Sequence, residues 1–109
     1  MNKRTTDKYF ERVVEALNDC EITFSRSPRV GKSVVGGHYD DSEIVIRNLP
    51  KTENMCLSLI HEALHHIYSE LREEDSPREF FDLLSRELFL QFSTSQHIVL
   101  QSYLPKRRK

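Results

Sequence analysis

The feature that most constrains this chain is a helical apolar segment, residues 58–71, that is interrupted by a polar motif. Its sequence is SLIHEALHHIYSEL, and it contains His61, Glu62 and His65 in the spacing H-E-x-x-H. At about 100° per residue, the surrounding apolar side chains fall on one arc, which predicts a buried face. That face comprises Cys56, Ile60, Ala63, Leu64, Ile67 and Leu71. The segment is therefore predicted to be a core helix with the two histidines along one edge.

The two histidines are spaced to bind one metal ion. Residues four apart are neighbours on a helix, so the imidazoles of His61 and His65 can converge on a single ion. Zn²⁺ accepts such ligands in tetrahedral geometry and leaves one position to water in a catalytic site. Glu62 lies further round the helix, where its carboxylate would accept the proton of a water that attacks a carbonyl. The alternative is a helix edge with two partly exposed histidines and a solvated glutamate.

Two histidines do not complete a zinc site, and the residues alone leave the third ligand open. A metzincin would need Gly at position 68 and His at position 71, where this chain has Tyr68 and Leu71, so that class is excluded. If the next helix packs antiparallel, it reaches the level of His65 near residue 83. Its acidic side chains then become candidates, with Glu79 ahead of Glu87. The remaining candidates are Asp82, His38 and His97.

The rest of the chain predicts a single α+β domain over residues 1–105, with a small, mainly antiparallel sheet and three or more helices. In chain order, the predicted elements are helix 6–19, strand 21–24, loop or irregular hairpin 25–41, strand 42–48, motif helix 52–72 and helix 77–92. Thr6 or Asp7 is the expected N-cap of the first helix. Residues 93–104 fit either strand or helix, and residues 106–109 form a basic tail.

Composition and charge narrow the class of protein. The chain has 109 residues, of which 38% are hydrophobic and 30% charged, as in a globular domain. Its formal net charge of −1 gives no global attraction to nucleic acid or membrane, so only the basic tail would bind nucleic acid, and weakly. Cys20 and Cys56 are too far apart in sequence for a redox or metal-binding pair. With no signal peptide, we expect two free thiols in a cytoplasmic protein.

Three stretches of the chain together resemble a known family. They are GGHYDDSEIVIRNLP (36–50), SLIHEALHHIYSEL (58–71) and SPREFFDLLSREL (76–88), and they resemble small zincin-like metallopeptidases of the ImmA/IrrE type, especially the compact versions of phages and other mobile elements. The resemblance implies a minimal zincin-like domain, a resident Zn²⁺ and a glutamate as third ligand, which Glu79 would supply. It also implies that an edge strand beside the motif helix, here residues 44–47, pairs with the substrate backbone.

The predicted function is therefore a zinc-dependent metallopeptidase that hydrolyses an intracellular protein or peptide, often a repressor in that family. His61, His65 and Glu79 would bind Zn²⁺, and Glu62 would act as general base. The alternative is a catalytically inactive zincin scaffold that acts as a binding or regulatory protein of a phage or mobile element. A third hypothesis, a nucleic-acid-associated accessory factor, is disfavoured by the near-neutral net charge.

Overall fold

The computed structural model of the chain describes residues 1–25, 29–30, 33–34, 37–40, 42–68 and 78–105. Within these residues the chain forms four helices and five strands. The helices are α1 (Lys3–Asp19), α2 (Thr52–Ile67), α3 (Arg78–Gln91) and α4 (Thr94–Gln101). The strands are β1 (Glu21–Ser25), β2 (Arg29–Val30), β3 (Ser33–Val34), β4 (Gly37–Asp40) and β5 (Glu43–Arg47). The predicted mixture of strands with three or more helices is confirmed.

The larger sheet is mixed, so the prediction of a mainly antiparallel sheet is not supported. β5 lies in its middle, with β1 parallel on one side and β4 antiparallel on the other. β2 and β3 form a separate antiparallel pair. Parallel neighbours need a connection of a dozen or more residues, and the chain between β1 and β5 is long enough to provide one. That connection returns β5 to the side of β1 in the same direction.

The turn between β4 and β5 shows where the prediction for residues 25–41 was incomplete. A hairpin is present there as β2 and β3, but residues 37–40 form a strand instead of a loop. Ser42 follows with a φ of 65°, in the left-handed region that allows a tight reversal. Its carbonyl accepts a hydrogen bond of 2.9 Å from the backbone N–H of Glu21. The reversal is thereby tied to the start of β1.

The helix boundaries differ from the predicted ones by more than one residue at the start of α1 and at the end of α2. α1 begins at Lys3 because Asn2 caps it, its side-chain oxygen accepting a 2.9 Å hydrogen bond from the N–H of Thr5. The expected N-cap at Thr6 or Asp7 is therefore wrong, and Thr6 is buried inside the helix. α2 ends at Ile67, before the predicted end at residue 72.

Residues 93–104, whose structure the sequence left open, contain the helix α4. A capping box starts it: the hydroxyl of Ser93 accepts from the N–H of Gln96, and the side-chain oxygen of Gln96 accepts from the N–H of Ser93. The side-chain nitrogen of Gln96 also donates a 2.9 Å hydrogen bond to the Asp7 carboxylate on α1. The predicted basic tail, residues 106–109, lies outside the described residues.

One hydrophobic core joins the four helices to β5. Its fully buried members include Val13, Leu17, Ile44, Ile46, Leu59, Ile60, Leu64, Phe81, Leu88 and Leu100. The predicted buried face of the motif helix is confirmed for Cys56, Ile60, Ala63 and Leu64, and Ile67 is half-buried against the core. Leu71 lies outside the described residues. Across the described part of the chain, no helix has the length and apolar character needed to cross a membrane.

Candidate metal centre

The two motif histidines face each other on one edge of α2. The Nε2 atoms of His61 and His65 are 3.1 Å apart. Two nitrogens bound to one tetrahedral Zn²⁺ at the usual bond length would be separated by about 3.3 Å. The observed separation is therefore close to the one that a shared ion requires. It also suits a hydrogen bond between the two rings, with one imidazole donating and the other accepting.

Glu62 is buried beside this pair instead of being solvated. Only 4% of the residue is exposed, whereas both histidines are half-buried. One potential ligand atom from each of His61, Glu62 and His65 lies within 4.8 Å of the other two, and the described residues contain no other group of three such ligands. A buried carboxylate is costly unless a positive charge or hydrogen-bond donors compensate it. Two imidazoles with a carboxylate close by are the side chains that a catalytic Zn²⁺ site uses, whether the carboxylate binds the ion or its water.

An aromatic ring from α3 holds the histidines in place. Phe81 stacks on His65 with the ring centroids 4.3 Å apart and the planes inclined by 24°. It also lies 6.2 Å from the ring of His61. Phe81 is fully buried, so packing in the core fixes the position of its ring. This packing restricts the rotation of both imidazoles before any ligand binds.

A carboxylate from α3 contacts the other nitrogen of His61. The distance from His61 Nδ1 to Asp82 Oδ1 is 3.2 Å. When Nδ1–H donates to this carboxylate, Nε2 is unprotonated and its lone pair points toward His65, which is the tautomer that a metal ligand needs. Asp82 is thus placed to orient His61, a role that the sequence pattern did not reveal. The sequence did contain one indication: the level of His65 was predicted near residue 83 of the next helix, and Asp82 is adjacent to that position.

The contacts between the two helices run in opposite order. His61 meets Asp82, His65 meets Phe81, and Tyr68 approaches Phe80 at 6.4 Å between ring centroids. Rising numbers on α2 therefore meet falling numbers on α3. This is the antiparallel packing expected from the sequence.

The preferred third ligand, Glu79, is not tested by these contacts. It belongs to the first turn of α3, but its side chain lies outside the described part of the structure, as does that of His38. The assignment of Glu79 to Zn²⁺ stays a prediction.

Two other candidates for the third ligand make contacts away from the histidine pair. Glu87 is half-buried, and its carboxylate accepts a 3.2 Å hydrogen bond from Gln91. His97 Nε2 donates a 2.8 Å hydrogen bond to the carbonyl of Phe89. Neither joins His61, Glu62 and His65 in the group of potential ligands.

Two other polar side chains of α2 turn toward α1. Tyr68, the C-cap residue, has its hydroxyl 3.5 Å from that of Tyr9, and the guanidinium of Arg12 lies 5.7 Å from the centre of its ring. The hydrogen bond with Tyr68, together with burial, raises the pKa of Tyr9, which therefore stays protonated. His66 lies 3.7 Å from the Asp19 carboxylate at the surface. Of the three histidines on α2, only His61 and His65 form the pair.

The strand expected to bind substrate does not have a free edge. Ile44–Arg47 belongs to β5, which has β1 on one side and β4 on the other. The prediction that it is an edge strand is therefore wrong. The end strands of the sheet are β1 and β4, and β4 packs against α2 together with β5.

Both cysteines are free thiols, as predicted, and neither belongs to the centre. Cys56 is 1% exposed in the core, and burial raises its pKa to about 11. Cys20 is half-buried, and its pKa is raised by burial and by the nearby Asp19 charge.

Comparisons with protein-family models, with curated proteins and with solved structures find no match for this chain. The resemblance to the ImmA/IrrE type stays a prediction from three stretches of sequence.

Proposed function

We propose that this chain is a zinc-dependent metallopeptidase with a minimal zincin-like fold, acting on a protein or peptide in the cytoplasm. One observation carries the proposal: two imidazole nitrogens lie 3.1 Å apart beside a carboxylate that is only 4% exposed. Burying two imidazoles and a carboxylate costs desolvation free energy that apolar side chains at the same positions would not cost. Binding a cation and activating a water accounts for all three residues.

Each side chain of the centre has a defined role in this proposal. Zn²⁺, when bound, lowers the pKa of a coordinated water and polarises a carbonyl oxygen. His61 and His65 would hold it, and Asp82 would fix the tautomer of His61 from the other side of the ring. Glu62 accepts a proton from the attacking water on a carboxylate oxygen and later delivers it to the leaving amine. Glu79, at the start of α3, would complete the ligand set.

The substrate would lie along β4. This strand ends the sheet next to α2; β5 pairs with one of its sides, and β2 approaches it without joining the same sheet. An extended peptide could pair with the backbone of the other side, which would bring a scissile carbonyl past the histidine pair. β4 thus takes the role that the sequence resemblance assigned to residues 44–47.

Metal content and cleavage test the proposal together. We expect the chain, purified without added zinc, to contain one equivalent of Zn²⁺ and to cut members of a peptide library that is read by mass spectrometry. Glu62→Gln should keep the metal and lose cleavage by about 100-fold or more, because only the general base is removed. Cleavage that survives in Glu62→Gln would refute the role of Glu62. A zinc-loaded wild type that cuts nothing in the library would instead favour the inactive scaffold.

Zinc titrations of two acidic variants would assign the third ligand. We expect Glu79→Ala to weaken binding strongly and Glu87→Ala to leave it unchanged, because Glu87 already accepts a hydrogen bond from Gln91 away from the centre. Equal affinity in Glu79→Ala and the wild type would remove Glu79 from the site.

A further inference from the structure

The outward side of α3 carries two exposed leucines in line. Leu83 is 66% exposed and Leu90 is 76% exposed. They are seven residues apart, which places them two turns, about 10 Å, from each other on one side of the helix. Phe81 and Leu88, both fully buried, occupy the opposite side. Single exposed leucines are ordinary, but two in heptad spacing form the kind of apolar seam along which helices pair.

Opposite charges lie on the two flanks of this seam. Arg86 and Glu87 sit midway between the leucines along the helix, and at about 100° per residue they point roughly 50° to either side of the line that joins them. Arg86 is exposed, and Glu87 is half-buried. Gln91 donates a 3.2 Å hydrogen bond to the Glu87 carboxylate, which holds that charge along its own flank. One flank is therefore positive and the other negative at the same height.

We propose that this face binds a second copy of the chain, with the two α3 helices parallel. A two-fold axis parallel to the helices sets Leu83 against Leu83 and Leu90 against Leu90. The same axis brings the Arg86 flank of each copy to the Glu87 flank of the other, so two opposite-charge pairs form. In an antiparallel pair, like flanks would meet, with Arg86 beside Arg86 and Glu87 beside Glu87. The charge pattern selects the parallel arrangement.

This interface is separate from the candidate metal centre. Asp82 and Phe81 contact the histidines from other sides of α3, so pairing through Leu83 and Leu90 leaves the centre open. The seam is short, and association has to overcome a substantial loss of translational and rotational freedom. The dimer is therefore weak and depends on protein concentration. Its existence does not depend on the proposed function.

Sedimentation equilibrium over a series of protein concentrations at low ionic strength tests the seam. We expect the wild type to show a monomer–dimer equilibrium, and Leu90→Gln to raise its dissociation constant about tenfold or more. Glutamine keeps the helix propensity, and circular dichroism checks that the fold is retained. A wild type that is monomeric at every concentration overturns the proposal, since a second copy then does not bind this face. A dimer that persists unchanged in Leu90→Gln also overturns it.

Charge exchange tests the orientation. Arg86→Glu and Glu87→Arg should each raise the dissociation constant by roughly threefold, because each creates two like-charge contacts. The double variant that carries both substitutions should restore the wild-type value. Single variants that dimerise as well as the wild type would overturn the parallel arrangement. Zinc content should be the same in Leu90→Gln and Arg86→Glu, since neither position is a candidate ligand, so a failure here is distinguishable from a failure of the proposed function.

Discussion

Both halves of α2 place residues in the interior, but only the second half buries a charged side chain among them. The first half places Met55, Cys56 and Leu59 in the core at 2%, 1% and 0% exposure, which the hydrophobic effect explains. The second half buries Glu62 almost as completely, at 4%. A carboxylate loses hydration there, so the hydrophobic effect does not explain its burial. The comparison shows that burial by itself does not separate core from site, whereas the chemistry of the buried group does.

The neighbours of the two halves differ accordingly. The first half, residues 52–59, meets apolar side chains, and Met55 and Leu59 share the core with Ile44 of β5. The second half meets α3, where Phe81 stacks on one imidazole and Asp82 contacts the other. If this difference is functional, changes in the second half should alter ion binding, and changes in the first half should alter stability alone.

Removing either histidine of the pair should have the largest effect. We expect His61→Ala and His65→Ala each to weaken the affinity for Zn²⁺ by more than about 100-fold. Removing a residue that only orients a ligand typically weakens metal affinity by roughly 10–100-fold. His66→Ala is the matched control, since it removes an imidazole from the same helix that lies near Asp19 instead. Isothermal titration with Zn²⁺ measures all three. Equal losses in His66→Ala would erase the distinction between the pair and the rest of α2.

Truncating the ring that supports the pair should be the next largest effect. We expect Phe81→Ala to lower the free energy of unfolding by about 3–5 kcal/mol, because a fully buried aromatic side chain leaves a cavity. Phe80→Ala is the control, because Phe80 is adjacent to Phe81 on α3 but is 41% exposed, so its truncation should cost far less. Urea unfolding in the presence of a chelator measures both without a contribution from bound metal. Similar losses in the two variants would contradict the placement of Phe81.

A buried thiol in the first half of α2 should make the free energy of unfolding depend on pH. Burial raises the pKa of the Cys56 thiol from 9.0 to about 11, so the unfolded chain releases this proton at a lower pH than the folded chain. Stability should therefore fall as pH rises from about 9 to about 11, by at most about 2–3 kcal/mol. Cys56→Ala should flatten that part of the stability profile, leaving a smaller slope from Cys20. An unchanged slope in Cys56→Ala would mean that another group titrates there.

The smallest expected effect concerns the carboxylate behind His61. We expect Asp82→Asn to weaken Zn²⁺ binding about 10–100-fold, because the amide can no longer fix the Nδ1–H tautomer through a charge. Asp82 is half exposed at its side chain, so stability should change little. Competition with a chromogenic chelator gives the affinity. Wild-type affinity in Asp82→Asn would show that the 3.2 Å contact does not tune the ligand.

The periodicity of α2 predicted its buried face because each residue turns by a constant angle, and Cys56, Ile60, Ala63 and Leu64 are all buried as expected. Residues 44–46 carry a continuous apolar run, which is typical of a strand with neighbours on both sides and was the available sign that β5 is not an edge. β4 could not be foreseen in the same way. Its sequence GHYD has little strand character of its own, and pairing with β5 makes it a strand.

By itself, the sequence determined that the histidines at positions 61 and 65 lie one turn apart on an apolar helix, because that spacing is a local property of helical geometry. Only the tertiary structure decided which side chains meet them. Phe81 and Asp82 are near the pair because α3 packs antiparallel at one particular level, and such a level depends on how all side chains between two helices fit together. It likewise decided the direction of β1 along β5, since strand pairing joins residues far apart in the chain.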